Sequence, residues 1–377
     1  MNYQTNRRAN LLRTLKADGV DALLVTAPAN VFYLTGFTGS SGALVLTAKH
    51  AILVSDARYE EQIKEECPDL DAHIRPLTKT AAEATAEVLT KTGAKTAGVE
   101  AGHVTLAVLE GLKEKCPKAT FTGLGERVEA LRALKDPSEV EQIRVAVGVA
   151  ERAFKMFVAM IRETDTEKEL ADELEHFIRR AGGKRSAFAP IVAVGDRGAL
   201  PHAPPTDRPV IDGSKILVDW GADVGYRSDL TRTLKSPFAS APFRKTKQER
   251  VGYNFDLVYA AVKAAHEAAV AELRAGVKAK DVDAAARKAL AKNTHKGEDL
   301  SGYFTHGLGH GIGLDTHEGP FLRPNTEAML EAGNVVTIEP GVYIAGWGGV
   351  RLEDDYLITK EGAIRLTTLP HDPAAIG

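Results

Sequence analysis

Between residues 306 and 318 the chain reads HGLGHGIGLDTHE, and its alternation leaves little freedom of fold. His306, Leu308, His310, Ile312 and Leu314 fall on one parity, Gly307, Gly309, Gly311 and Gly313 on the other. A strand, whose side chains alternate faces, puts both histidines on one side and bare backbone on the other. A helix is disfavoured, because four glycines in seven residues would each cost roughly 1 kcal/mol and no Glu follows His306 as in a helical HExxH zinc motif. A dinucleotide loop also fails, since GxGxxG would need glycine where Ile312 stands.

Two apolar runs downstream, VVTIEPGVYI and GGVRLEDDYLIT, read as strands, each broken by a carboxylate, Glu339 and Glu353, where a buried face wants carbon. With Gly346 at the tip of their connection, the two glutamates are equidistant from it and face each other across an antiparallel pair. The same geometry recurs in KILVDWGADVGYRSDLTRTL, where a turn at Asp223, Val224 and Gly225 would set Asp219 directly opposite Asp229. Opposed strand residues have Cβ atoms about 4.5–5.5 Å apart, and like charges there repel. A lone strand aspartate is usually a solvated edge residue, and Asp229 beside Arg227 and Arg232 would read so on its own; two acid pairs together ask for a cation. Four carboxylates and one imidazole carry a formal charge of −4, which balances two divalent ions. Oxygen-rich ligation with one nitrogen suits Mn²⁺ and, less distinctively, Co²⁺, Fe²⁺ or Zn²⁺. Two such ions about 3.5–4 Å apart activate water at neutral pH and polarise a carbonyl, so the implied reaction is hydrolysis.

These residues resemble the pita-bread metallopeptidases, the family of aminopeptidase P, prolidase, methionine aminopeptidase and creatinase, and the resemblance covers nearly the whole chain. It implies two Asp, one His and two Glu as metal ligands in that order, here Asp219, Asp229, His310, Glu339 and Glu353. It further implies that His202, seventeen residues before the first aspartate, and His317, seven after the ligand histidine, contact the scissile amide. One would lie near the leaving nitrogen and one near the developing oxyanion. Glu339 would double as proton shuttle, Arg351 matches an arginine that supports the ligands, and His306 matches a histidine lining the subsite for the leaving residue. Family members usually have eleven residues from the first to the second aspartate, and here the step is ten; the shortening is expected at the hairpin tip, residues 223–225, where it is tolerated.

At 377 residues the chain exceeds a usual single domain. A formal net charge of −3 gives no polyelectrolyte footprint, so neither nucleic acid nor an anionic membrane is an expected partner, and no run of eighteen apolar residues offers a membrane span. The N-terminus has three arginines, Arg7, Arg8 and Arg13, but no apolar core ahead of a cleavage site, and reads as an amphipathic helix followed by a strand. Cys67 and Cys116, each beside a proline, make no disulfide framework; free thiols and a cytoplasmic location are expected. From residue 23 to about residue 123, strand-like ALLVT, GALVLT, HAILVS and TAGVE alternate with helical stretches at 81–92 and 106–115, an α/β pattern. Within it, YLTGFTGSSGALVL and LVSDARYEEQ resemble the creatinase-like N-terminal domain of aminopeptidase P and prolidase, a mixed sheet with helices that methionine aminopeptidases lack. GFTGSSG itself reads as a hairpin turn ahead of a direct substrate role, and Asp56 with Arg58 as a local ion pair.

Pro137, at the first helical position of KDPSEVE with acids in the opening turn, starts a long helix and marks a boundary. The resemblance makes residues 1–134 a creatinase-type N-terminal domain and residues 135–377 an α+β pita-bread catalytic domain. A second helix is expected after Thr164 or Thr166, ending at Gly182 and Gly183, and two more at 251–274 and 280–293 after a Pro- and Lys-rich loop at 236–250. Helix, helix and acid-bearing strands thus occur twice, the mark of an internal pseudo-two-fold.

An N-terminal domain of this kind implies peptides with proline in second position as substrates. Strict dipeptidases of the family often carry an arginine directly after the HExP stretch to hold the free carboxylate; that place is Phe321, and Arg323 lies two residues on, back on the same strand face. The resemblance therefore favours a Xaa-Pro aminopeptidase, with Xaa-Pro dipeptidase (prolidase) next, in a homodimer as is common among relatives. Creatinase-like or lyase chemistry is disfavoured by the full acidic set, since creatinase works without metals. A non-catalytic binding protein of the same fold would typically lose ligands and gain basic patches, which this sequence does not.

Overall fold

The computed structural model describes residues 3–236, 238, 253–295 and 298–371. The chain divides into two compact units, Met1–Arg132 and Ala133–Gly377. Among the described residues no helix is long and apolar enough to cross a membrane.

In the first unit α1 (Tyr3–Ala17) leads to β1 (Ala22–Val25), α2 (Pro28–Thr35), β2 (Ala43–Thr47), β3 (Ala51–Asp56), α3 (Glu60–Glu66), β4 (Asp71–Arg75), α4 (Ala81–Thr92), β5 (Thr96–Glu100), α5 (Leu106–Lys115), β6 (Thr120–Leu124) and α6 (Arg127–Arg132). The strands form one mixed sheet in the order β4-β3-β2-β1-β5-β6, with only β2 antiparallel to its neighbours. β1 is buried along its whole length, as a strand flanked by helices must be, and its unbroken apolar run is what made it legible. Helix ends follow their caps: Thr80 and Glu83 form a capping box on α4. GFTGSSG links α2 to β2 instead of turning a hairpin, because Pro28 at the first turn makes the preceding segment a helix. Asp56 and Arg58 form the expected pair, with Arg58 Nε 2.8 Å from Asp56 Oδ1. Cys67 and Cys116 are buried and free.

The second unit runs one plan twice. α7 (Pro137–Met160) opens on a capping box of Asp136 and Glu139, and α8 (Glu167–Arg180) on one of Thr166 and Glu169, which selects Thr166 over Thr164. There follow β7 (Arg185–Ser186), β8 (Ile191–Val194), β9 (Lys215–Trp220), β10 (Ala222–Asp223) and β11 (Leu230–Lys235), which form an antiparallel sheet β11-β9-β8 and a short pair β10-β7. Phe154, Phe157 and Leu174 from the helices pack on Val218, Trp220 and Leu230 from the strands. The second round begins with α9 (Phe255–Glu272) and α10 (Ala279–Ala291), then a short pair of β12 (Thr294–His295) and β13 (Glu298–Asp299). β14 (Gly309–Gly311), β15 (Glu318–Leu322), β16 (Val335–Ile338), β17 (Gly341–Ile344), β18 (Gly348–Arg351), β19 (Asp354–Ile358) and β20 (Ala363–Arg365) follow, as a sheet β15-β14-β16-β19-β20 and a pair β17-β18. Val262, Ala265 and Leu290 pack here against Val336, Ile338 and Val350. The loop expected at 236–250, apart from positions 236 and 238, and the start of the helix expected at 251 lie outside the described residues.

Candidate metal centre

Two hairpins and one strand build the site. β9 and β11 pair Asp219 with Thr231 and Trp220 with Leu230, and the ladder resumes beyond with an Asp223–Arg227 bridge. The tip is therefore Gly225, at φ +120°, a conformation that Val224 would resist. The sequence places Asp219 directly opposite Asp229; the structure corrects this by two residues, because the turn centres on the glycine. A shift of two keeps side-chain parity, so the aspartates are diagonal neighbours on one face. In the second hairpin the register Ile338↔Asp354 and Gly341↔Arg351 sets Glu339 opposite Glu353, with Gly346 at the tip as expected. Glu353 N bonds Thr231 O at 3.1 Å, which stitches the two hairpins together where the acids lie. β14 delivers His310 beside them, its backbone N–H donating to Thr337 Oγ1.

All nine sequence-predicted residues gather in this region of the second unit. His310 Nε2 is 3.5 Å from Glu339 Oε1 and 3.9 Å from Asp229 Oδ2. Asp229, His310 and Glu353 each present a ligand atom within 4.8 Å of the others'. Asp219 joins through Arg351, whose guanidinium is ion-paired with its Oδ2. His306 Nδ1 is 3.9 Å from Glu339 Oε2. His317 is exposed, its ring centroid 4.3 Å from that of His310. His202 is exposed and near enough to His306 and His317 that its charge disfavours theirs, and the carbonyl of Pro201 beside it accepts from Arg351 Nη1 at 3.2 Å.

Hydrogen bonds select the tautomers. His310 Nδ1 lies 3.1 Å from the Gly311 carbonyl and donates to it, which leaves the Nε2 lone pair facing the acids. His306 Nδ1 likewise donates to the Gly307 carbonyl at 2.7 Å, so its Nε2 accepts from Tyr343 Oη at 2.8 Å, and Tyr343 Oη in turn accepts from Arg351 Nη1 at 2.8 Å. Burial lowers the His306 pKa to about 4 and that of His310 to about 3. Burial, then the repulsion of neighbouring carboxylates, pushes the acids upward: Glu353 to about 8, and Asp229 and Glu339 well above the ordinary range. Asp219 Oδ1 and Asp229 Oδ1 are buried without a hydrogen-bond partner. Carboxylates crowded until they hold protons, two orphaned oxygens and one imidazole with its lone pair turned inward fit divalent cations.

A second group, His266, Asp354 and His371, also offers three ligand atoms within 4.8 Å, and its electrostatics are the opposite. Asp354 Oδ1 accepts from Arg232 Nη2 and Arg365 Nη2, each at 2.8 Å. Burial alone would raise this carboxyl, but Arg232 and His371 outweigh it and hold Asp354 well below the usual range. A cation entering there would meet two guanidiniums, so this cluster is a buried ion-pair network.

Three residues at the centre escaped the sequence reading. Thr231 Oγ1 donates to Glu353 Oε2 at 2.7 Å and accepts from Arg351 Nε at 3.0 Å. Tyr343 joins Arg351 to His306, and Asp355 Oδ2 accepts from Asp229 N at 3.2 Å. Parity was the available signal for all three, since Thr231 shares it with Asp229, Tyr343 with Glu339 and Asp355 with Glu353.

Comparison with known proteins gives the family of the chain. Residues 141–360 match the metallopeptidase family M24 and residues 7–134 the creatinase/prolidase N-terminal domain. A Xaa-Pro dipeptidase of Pyrococcus furiosus is 32% identical over 96% of this chain and 97% of its own. The solved structure of a Xaa-Pro dipeptidase from Bacillus anthracis superposes with a TM-score of 0.88 at 31% identity, covering 98% of this chain and 99% of that one. An X-Pro aminopeptidase from Thermotoga maritima gives 0.83 at 32% identity, over 96% and 99%. With acids, imidazole and both sequence matches in agreement, the chain belongs to metallopeptidase family M24.

Proposed function

We propose that Asp219, Asp229, His310, Glu339 and Glu353 hold two divalent ions, Mn²⁺ by the chemistry of the donor set, and that the site hydrolyses the bond between an N-terminal residue and a proline in second position. The observation that carries this is the buried acid cluster, four carboxylates with the single guanidinium of Arg351 among them, facing the free Nε2 of His310, in a chain of a family that depends on two metals. Bound ions supply Lewis-acid polarisation of the carbonyl and a lowered water pKa. The protein supplies the rest. The Glu339 side chain is 17% exposed, against 12% for Asp219 and 6% for Asp229, so among these it is the one placed to move a proton between water and the leaving nitrogen. His202 and His317, both exposed, can donate to the amide being cleaved. His306 lines the subsite for the leaving residue, and Arg351 fixes Asp219 Oδ2 so that Oδ1 stays directed at the cation site. Residues 1–134 serve as the creatinase-type domain and 135–377 as the catalytic one. The reading includes a homodimer in the cytoplasm, on the strength of two buried free thiols and the family resemblance.

Removal of the N-terminal residue from longer peptides is the finer proposal, supported by Phe321 in the place of the dipeptidase arginine. A dipeptidase reading has its own support. Arg323 is exposed, stacked 5.1 Å over the Phe321 ring and without a carboxylate partner among the described residues, and two of the relatives named above are Xaa-Pro dipeptidases. The test strips metal with chelator, adds back Mn²⁺, Co²⁺ or Zn²⁺ singly, and compares Xaa-Pro with Xaa-Pro-Yaa peptides. Cleavage of the longer peptides supports the aminopeptidase, cleavage of dipeptides alone selects the dipeptidase, and activity indifferent to chelation overturns both.

A further inference from the structure

The first unit carries a cavity lined by its own residues alone. Its volume is about 350 Å³, and it opens where β1, β3 and β5 end, the edge at which open α/β sheets bind ligands. Its polar lining contains one guanidinium, Arg75, and one imidazole, His103, and no carboxylate. Arg75 and Arg58 share the single carboxylate of Asp56, at 3.0 and 2.8 Å, so one positive charge is left over. Arg75 Nη1 donates to the Lys79 carbonyl and Nη2 to Asp56, while Nε has no partner among the described residues. The first turns of α4 and α5 form part of the wall, at Ala81, Ala82 and Thr105, and add the positive ends of two helix dipoles.

The independent pointer is Thr85. It lies on α4, is 4% exposed, lines the cavity, and its hydroxyl has no partner among the described residues. Thr35, Thr90 and Thr92, also helical, each bond back to a carbonyl of their own helix. A hydroxyl that lines the cavity without bonding back to its own helix is free to donate to whatever enters. Leu24, Val54, Val108 and Leu112 supply an apolar floor.

We propose that this cavity binds a small organic monocarboxylate without an amino group. One surplus positive charge matches one carboxylate, and Thr85 and Arg75 Nε supply the donors. The apolar floor takes an aliphatic or aromatic body, and the volume holds on the order of ten heavy atoms. The absence of a lining acid rejects an ammonium, which separates this ligand from the amino acids and peptides proposed for the metal centre.

Isothermal titration of the full-length, Mn²⁺-loaded protein with 4-methylpentanoate tests it, with leucine and 4-methylpentanamide as the amine-bearing and uncharged counterparts. One equivalent of the carboxylate is expected to bind, and each counterpart at least about tenfold more weakly. Val108→Trp, which fills the cavity from a position 39% exposed, and Thr85→Val, nearly isosteric, should weaken binding by about tenfold or more and about threefold respectively, with peptide hydrolysis unchanged. Unaltered affinity in Val108→Trp, which would place the ligand on the metal centre, equal affinity for leucine, or no binding at about 10 mM each overturns the proposal.

Discussion

Gly309→Ala tests whether the glycine alternation exists to let strands approach. A Cβ at Gly309 would lie 2.1 Å from the backbone oxygen of Thr337 and 2.8 Å from its carbonyl carbon. Ordinary contact begins at 3.4 Å, so β14 would have to retreat by about 1.3 Å, the difference of the two distances, because a backbone oxygen inside a sheet cannot swing aside. The retreat breaks the bond from His310 N to Thr337 Oγ1 and moves the His310 ring with it. Overpacking of this kind costs about 1–3 kcal/mol, which for a unit of this size lowers Tm by about 2–12 °C in differential scanning fluorimetry. A displacement near 1 Å at a reacting centre lowers kcat/KM by about 10²-fold. Gly302→Ala, where an added Cβ meets nothing within 4 Å, is the matched control and should change neither quantity. A Gly309→Ala protein melting within about 1 °C of the parent, with kcat/KM within about twofold, would refute the strand geometry assigned to the histidine block.

Three further outcomes follow from the same geometry. Asp229→Asn and Glu353→Gln each remove a carboxylate from a crowded set, so metal binding measured by titration should weaken sharply and turnover fall by about 10³-fold, while the metal-free proteins melt no lower than the metal-free parent; a variant that keeps stoichiometric metal would sink the ligand assignment. Tyr343→Phe leaves Arg351 Nη1 and His306 Nε2 each short of a buried partner, which should cost about 1–3 kcal/mol in denaturant unfolding and reduce kcat/KM, whereas an unchanged unfolding midpoint would show that the relay contributes nothing. His266 is 1% exposed, its Nε2 lies 3.4 Å from Asp354 Oδ2 without forming a hydrogen bond, and burial outweighs that carboxylate and pushes its pKa from 6.5 to about 3. Since the folded value is the lower one, the unfolded chain takes the extra proton, so this contribution is intact above pH 6.5 and is lost toward pH 3 by up to about 1.4 kcal/mol per pH unit. His266→Phe should flatten the Tm profile between about pH 6.5 and 5, and equal acid sensitivity in the variant would exclude His266 as its source.

What sequence shows here is parity, and what it misses is register and charge balance. Alternation alone puts His306 and His310 on one face, and symmetry about Gly346 alone pairs Glu339 with Glu353, because both depend only on counting along a strand. The Asp219 hairpin shows the limit: the composition of its turn admits tips at Val224 or Gly225, and only the backbone's use of positive φ at the glycine decides. The edge strands β4 and β6 went unread because one or both faces meet solvent and their polar sequences carry no unbroken apolar signal. The His266, Asp354 and His371 cluster comes from three distant segments, and its lack of metal character depends on two arginines, Arg232 and Arg365, that no spacing rule brings to it.

The charge balance at the centre gives the metals a structural part that the sequence could not assign. Burial and mutual repulsion drive Asp229, Glu339 and Glu353 toward their protonated forms, so the metal-free second unit carries a penalty that divalent ions remove. Ions present at about a thousandfold above their Kd would stabilise that unit by about 4 kcal/mol. Both tryptophans, Trp220 and Trp347, belong to this unit, and Trp220 follows Asp219 on β9, stacked 4.0 Å from Phe154. Tryptophan fluorescence therefore reports its unfolding without a contribution from residues 1–132. Chelation should lower the fluorescence-detected Tm by about 8–16 °C, and added Mn²⁺ should restore it. A tryptophan transition that ignores chelator and metal would show the acids to be stable by themselves, and the reading of Asp229, Glu339 and Glu353 as ligands crowded for want of cations would fall with it.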